Sequence, residues 1–273
     1  MPREILRRAA LLGAGAALGP ATYAVLHRLQ PGGAATWERT NHRGEQVSLL
    51  SGPALAISSA ATAALGAPVG MRAAAAGSAL ASGAVGVYDD IVGQRPDQKG
   101  DKGFRGHLGA LRQGRITAGL VKIAGVGLTG IVAAGAVTRN PVDRVIAGGV
   151  IAGTANLFNL LDLRPGRALK ASIGLGAPLL GGPSGGVVAG PIGASAGLLP
   201  QDLAERTMLG DGGANAIGAV LGLRLAAAGG PAWRAGVLAV LGALTLASEK
   251  VSFTKVIEST PILREADALG RRR

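Results

Sequence analysis

The chain has 273 residues, 48% hydrophobic and 16% charged, with a mean hydropathy of +0.36, which is too apolar for an ordinary soluble domain and makes the bilayer its natural solvent. It has no cysteine, so disulfides and thiolate metal sites are excluded, and its three histidines are too scattered to form a local metal motif. The formal charge of +12 lies in loops between apolar segments, with only 3% aromatic residues, a pattern that fits positive-inside topology better than a nucleic-acid partner.

A membrane span needs about 20 mostly apolar residues. The first such stretch, 9–26, follows the basic residues Arg3, Arg7 and Arg8, as in a secretory signal, but no clear small-residue cleavage site comes after it. Further stretches fall near 49–67, 70–88, 117–137, 144–161, 170–183, 184–199, 213–229 and 231–248, giving an expected all-α transmembrane bundle of nine spans. The two either side of Pro183 are short and interrupted by Gly and Pro, so a re-entrant hairpin is the alternative there. The 46 glycines are interleaved with Leu, Val and Ile, which reads as close helix packing and not as a flexible linker. One transmembrane catalytic domain, 1–248, and a basic tail, 249–273, account for the chain.

Alternating spans place nineteen Lys and Arg on one side and seven on the other. The richer side is expected to be cytoplasmic, with the N-terminus outside and the C-terminus inside, although Arg3, Arg7 and Arg8 oppose this. The acidic residues Asp89, Asp90, Asp162, Asp202 and Asp211 sort to the same face.

Asp89 and Asp90 close the third span in GVYDDIVG, where adjacent carboxylates repel and need a cation, a proton or a basic partner; a solvated helix end is the plainer reading. The loop that follows, QRPDQKGDKGFRGHLGALRQGR, carries Lys99 and Lys102 and suits either a diphosphate or anionic headgroups. Lys122 sits about one turn inside the fourth span, where it is costly to bury unless it snorkels or meets a counter-charge. In TANLFNLLDLRPG, Asn156, Asn159 and Asp162 recur every three residues and form a drifting polar stripe about 9 Å long. Interhelical hydrogen bonds would satisfy the asparagines, but a stripe ending in a carboxylate favours a site. In MLGDGGANAIG, Asp211 stands among glycines at a helix start, where backbone amides suit phosphate and the carboxylate suits a hard cation; a simple N-cap is the alternative. Asp202 shares that loop but falls outside the motif, and its loss is expected to cost little.

The order Asp-Asp, Asn-x-x-Asn-x-x-Asp and Gly-Asp-x-Gly, all on one face, resembles glycosyltransferase family 4, which includes phospho-N-acetylmuramoyl-pentapeptide transferase and the polyprenyl-phosphate N-acetylglucosamine-1-phosphate transferases. WERTNHRGEQVSLLSG, from Trp37 to Gly52, also resembles that family's first cytoplasmic loop, so the likeness runs from about Trp37 to Gly218. It implies a plasma-membrane enzyme of cell-envelope glycan synthesis that transfers a sugar-1-phosphate from a nucleotide-sugar, UDP-linked, to a polyprenyl phosphate. It further implies Mg²⁺ held by Asp211 and Asp90, catalytic roles for Asp89, Asp90, Asp162 and Asp211, and substrate contacts from Asn156, Asn159, Lys99, Lys102 and Lys122. A homodimer is left open. The sequence departs from the family where Leu163, Arg164, Pro165 and Gly166 follow Asp162 in place of a second carboxylate motif, and where the tail replaces a histidine-rich loop. A member that binds polyprenyl phosphate or an envelope partner without turnover is therefore the competing expectation.

Overall fold

A computed structural model of the chain describes residues 2–41, 43–93, 95, 109, 110, 112 and 114–272. Helix α1 (Pro2–Leu29) leads into a short turn, α2 (Ala34–Trp37), and an antiparallel hairpin of β1 (Glu38–Thr40) and β2 (Gln46–Ser48) that pairs Arg39 with Val47. Then follow α3 (Ser51–Gly66), α4 (Arg72–Val92), α5 (Ala118–Ala134), α6 (Pro141–Leu161) and α7 (Arg167–Gly176). The chain continues through α8 (Gly186–Leu203), α9 (Gly210–Ala226), α10 (Pro231–Ser248) and the tail helices α11 (Phe253–Ser259) and α12 (Pro261–Ala268). All-α architecture is thus the rule outside one small hairpin.

Local chemistry sets several helix starts. The Thr117 side chain accepts the Leu120 amide ahead of α5, and Asn140 accepts the Asp143 amide ahead of α6, whose first residue is Pro141. Glycine-rich α9 is buried along nearly its whole length and packs against α6, α4 and α3, which makes it the axis of the bundle. Around it α1 lies on α8 and α3, while α10 touches chiefly α6 and leaves Val240 and Leu246 exposed.

Among the described residues three helices, α1, α6 and α10, are long and apolar enough to cross a membrane by themselves. The core helices α3 and α9 are rich in Ala and Gly and are shorter, so their burial comes from neighbouring helices. Each of the nine apolar stretches overlaps a helix, but those either side of Pro183 are unequal. Helix α8 has 18 residues, whereas α7 has 10, rising about 15 Å before a 3₁₀ turn, Ala177–Leu180, and does not cover a bilayer core of about 30 Å.

Candidate active site

The carboxylates singled out in the sequence come together because four helix ends meet. The C-terminal ends of α4 and α6 bring Asp89, Asp90, Asn159 and Asp162, and the N-terminal ends of α5 and α9 bring Lys122 and Asp211. At the centre Lys122 Nζ lies 2.6 Å from Asp89 Oδ2 and 2.5 Å from Asp211 Oδ2. The Asn159 amide, oriented with its nitrogen toward Asp211, donates to Asp211 Oδ1 at 2.5 Å and accepts from Lys122 Nζ at 3.3 Å. The Lys122, Asp89 and Asp211 side chains are 22%, 15% and 22% exposed, so the cluster is half-enclosed yet reachable from one side. A lysine held by two carboxylates explains how this ammonium is tolerated so near the apolar interior.

Asp90 takes a different position from the metal-binding one expected of it. Its Oδ1 accepts the Asp211 amide at 3.1 Å and its Oδ2 the Gly212 amide at 3.0 Å. The amides of Asp211 and Gly212 at the start of α9, expected to suit a phosphate, therefore donate to the protein's own Asp90 carboxylate. Gly210 has φ of +65°, and a Cβ there would stand 2.8 Å from Asp90 Oδ2, so the turn demands glycine. The hairpin braces the same turn: Met208 N donates to Ser48 O at 3.0 Å, and the Ser51 hydroxyl donates to Met208 O at 2.8 Å.

Not every expected residue joins the cluster. Asn156, expected to contact substrate, donates from Nδ2 to Thr245 Oγ1 at 3.1 Å and so ties α6 to α10. Lys99 and Lys102 lie outside the described residues. Asp202, expected to be a bystander, is 3% exposed and its Oδ2 accepts the Gly166 amide at 2.5 Å, which fixes the turn after Asp162. Arg39 was also missed: its Nη2 donates to the Asp90 carbonyl at 2.7 Å and clamps the end of α4. Its place in the WERTNHRG loop was the only available signal.

Among the described residues no group of three or more carboxylate or histidine side chains is gathered as a metal site. Two carboxylate oxygens and an amide nevertheless converge on one positive charge, the Lys122 ammonium. Hard oxygen donors around a cationic centre suit Mg²⁺, so the donor set fits that ion with Asp89 and Asp211 as its carboxylates and Asn159 beside them. No protein-family model matches the chain, and no curated protein matches it.

Proposed function

We propose that the protein is a Mg²⁺-dependent phosphoglycosyl transferase, moving a sugar-1-phosphate from a UDP-linked sugar to a polyprenyl phosphate at the cytoplasmic face of the plasma membrane. The observation that carries this reading is the convergence of Asp89, Asp211, Asn159 and Lys122 at the one end of the bundle where the motifs resembling glycosyltransferase family 4 collect. The nine apolar stretches, taken as a multi-pass bundle with the N-terminus outside and the C-terminus inside, put this end in the cytoplasm.

In the reaction a phosphate oxygen of the polyprenyl phosphate attacks the sugar-bearing phosphorus of the donor. The bridging P–O bond breaks, UMP leaves with its electron pair, and a lipid-linked diphosphate sugar remains. Mg²⁺ when bound supplies charge neutralisation on the diphosphate oxygens. Asp89 and Asp211 would hold it, with Asn159 fixing the rotamer of Asp211. Lys122, on its flexible stem, swings from the carboxylates to a phosphate as negative charge gathers on the leaving group. Asp90 acts one step removed, by holding the turn that aims Asp211, and Asp162, at the end of α6, would orient the diphosphate.

Release of UMP from UDP-sugars, with Mg²⁺ and undecaprenyl phosphate, tests this on purified protein. Asp211→Asn keeps the size and the Asn159 contact but removes a charge. Several kcal/mol of transition-state stabilisation are expected to go with it, a fall of about a hundredfold or more in turnover. Glu249→Gln, on the exposed start of the tail, should stay within a few-fold of the parent. The competing reading, a lipid-phosphate binder without turnover, is favoured by Lys122 already filling the cation's place, and it prevails if no Mg²⁺-dependent UMP release occurs with any UDP-sugar.

A further inference from the structure

Helix α7 opens with charge, Arg167 and Lys170 standing in its first turn at the end of the bundle that carries the cluster. Beyond them, residues 171–176 and the 3₁₀ turn rise only about 17 Å, at about 1.5 and 2.0 Å per residue. That falls well short of the roughly 30 Å of bilayer hydrocarbon. The tail lies over this charged turn. Asp267 takes the Arg167 donors, and the carbonyls of Ala266, Asp267 and Leu269 take the Lys170 ammonium. What the tail turns outward instead is apolar: Ile262 and Leu269 are 80% and 72% exposed, and Leu263 and, from α11, Val256 are exposed as well. At about 100° per residue, Ile262, Leu263, Ala266 and Leu269 fall within one arc of about 120° on α12, with Asp267 just beyond its edge. Leu263 and Ala266 share a cavity of about 330 Å³ with Leu175, an exposed residue in the last turn of α7. Leu175 stands about 12 Å further along α7 than Arg167, so the apolar side of the tail runs on into the flank of the bundle.

We propose that α11 and α12 lie in the inner-leaflet interface, with Ile262, Leu263 and Leu269 among the acyl chains and Lys250, Lys255 and Arg264 at the headgroup phosphates. All three basic residues are exposed, and their long stems let the charge snorkel to the headgroups. A helix laid across the start of α7 adds a width of about 10 Å, which brings the apolar flank there to about 27 Å. The tail thereby seals Arg167 and Lys170 from lipid and completes the apolar band where α7 is short. A soluble partner fits this face less well, because its groove extends to the depth of Leu175, inside the bilayer. The assignment rests on the multi-pass reading above, with the C-terminus inside, and is independent of the transferase chemistry.

The chain has no cysteine, so a single introduced one can report depth. Ile262→Cys lies in the apolar arc, whereas Ala268→Cys, on the other side of α12, faces the cavity beside Arg43. Val240→Cys, exposed in the middle of α10, is the reference for the membrane itself. Each full-length variant is labelled with an environment-sensitive fluorophore in nanodiscs of phosphatidylcholine and phosphatidylglycerol. Nitroxides carried on the acyl chains quench from lipid, and iodide quenches from water. Val240 and Ile262 should be quenched from lipid, Ile262 at the shallower depth, and Ala268 from water. The ratio of lipid to water quenching at Ile262 should exceed that at Ala268 about threefold or more. An Ile262 label as open to iodide as Ala268, or shielded from both quenchers as at a contact between two copies, overturns the assignment. If Val240 is quenched from lipid in that case, the multi-pass reading stands and only the tail assignment falls. A Val240 label quenched from water alone overturns the multi-pass reading, and the tail assignment with it.

Discussion

Lys122 occupies the point between Asp89 and Asp211 where a cation would sit, and this makes it the most informative single residue to change. Lys122→Met would leave two carboxylates facing one another without a counter-charge. Such a pair draws in a cation or a proton. Binding of Mn²⁺, followed by electron paramagnetic resonance, should become several-fold tighter in this variant, while UMP release falls about tenfold or more for want of the phosphate-neutralising ammonium. A methionine variant that binds Mn²⁺ no better than the parent would show that the ion and Lys122 do not share a place. Asp202 teaches a second lesson at this scale: in the sequence it is one more acidic residue in a loop, and only its buried bond to Gly166 shows it to be structural and lining a cavity.

At the level of elements, the position of Asp211 depends on how closely α4 and α9 cross. A Cβ on Gly86 would stand 2.3 Å from the Asp211 carbonyl oxygen, so alanine there must push the helices apart. Overpacking of this kind costs about 1–3 kcal/mol. Gly86→Ala should lower the melting temperature and UMP release together. Gly77→Ala, in the same helix but with nothing within 4 Å, should leave UMP release unchanged and raise the melting temperature slightly, since alanine is the better helix former. The tail helices are held differently, by charge. Arg167 Nε and Nη2 donate to the two Asp267 oxygens at 2.8 and 2.9 Å, and Lys170 Nζ donates to the carbonyls of Ala266, Asp267 and Leu269 at the end of α12. Burial pushes the Asp267 carboxyl up, but Arg167 and Arg271 more than offset it and leave it below the usual carboxylate range. The sign follows: docking is fully supported above the ordinary aspartate pKa of about 3.9 and is lost as pH falls through the lower folded value. At neutral pH Asp267→Asn should expose the tail to trypsin while the bundle melts as in the parent; a tail as protected as the parent's would show that its apolar contacts hold it alone.

For the whole molecule, four of the seven basic residues that oppose the charge count have structural partners at the end of the bundle away from the cluster. Arg7 donates to Leu65 O at 2.8 Å, Arg8 to Leu180 O and Gly182 O at 2.7 Å, and Arg144 to Ile131 O at 2.8 Å, while Arg234 pairs with the buried Asp143. They cap carbonyls at helix and turn ends, and so they say little about sidedness. The proposed topology is testable by labelling, since the chain has no cysteine to interfere. A single cysteine replacing Arg139 should react with an impermeant maleimide in intact cells, and one replacing Lys255 only after the inner face is opened. Both positions are exposed, unlike Arg271, which is engaged by Asp267 and Pro165. Labelling of Lys255→Cys from outside refutes the orientation.

The helices were legible in the sequence because apolar runs, Pro at helix starts and polar breaks are local signals: Pro141 and Pro231 open α6 and α10 where the stretches begin. The residues of the cluster were legible too, since charge at the edge of an apolar run is conspicuous on its own. Their division of labour was not. Asp89 and Asp90 are neighbours in the chain, yet the turn of α4 sends one to Lys122 and the other to the amides of α9. Asn156 and Asn159 share a stripe, yet one faces α10 and the other the cluster. Both outcomes depend on which neighbour each helix face meets, and so does the hydrogen-bonding state of Asp202. Sequence periodicity fixes which residues share a helix face, but only the packing of α4, α6 and α9 against one another determines what that face touches.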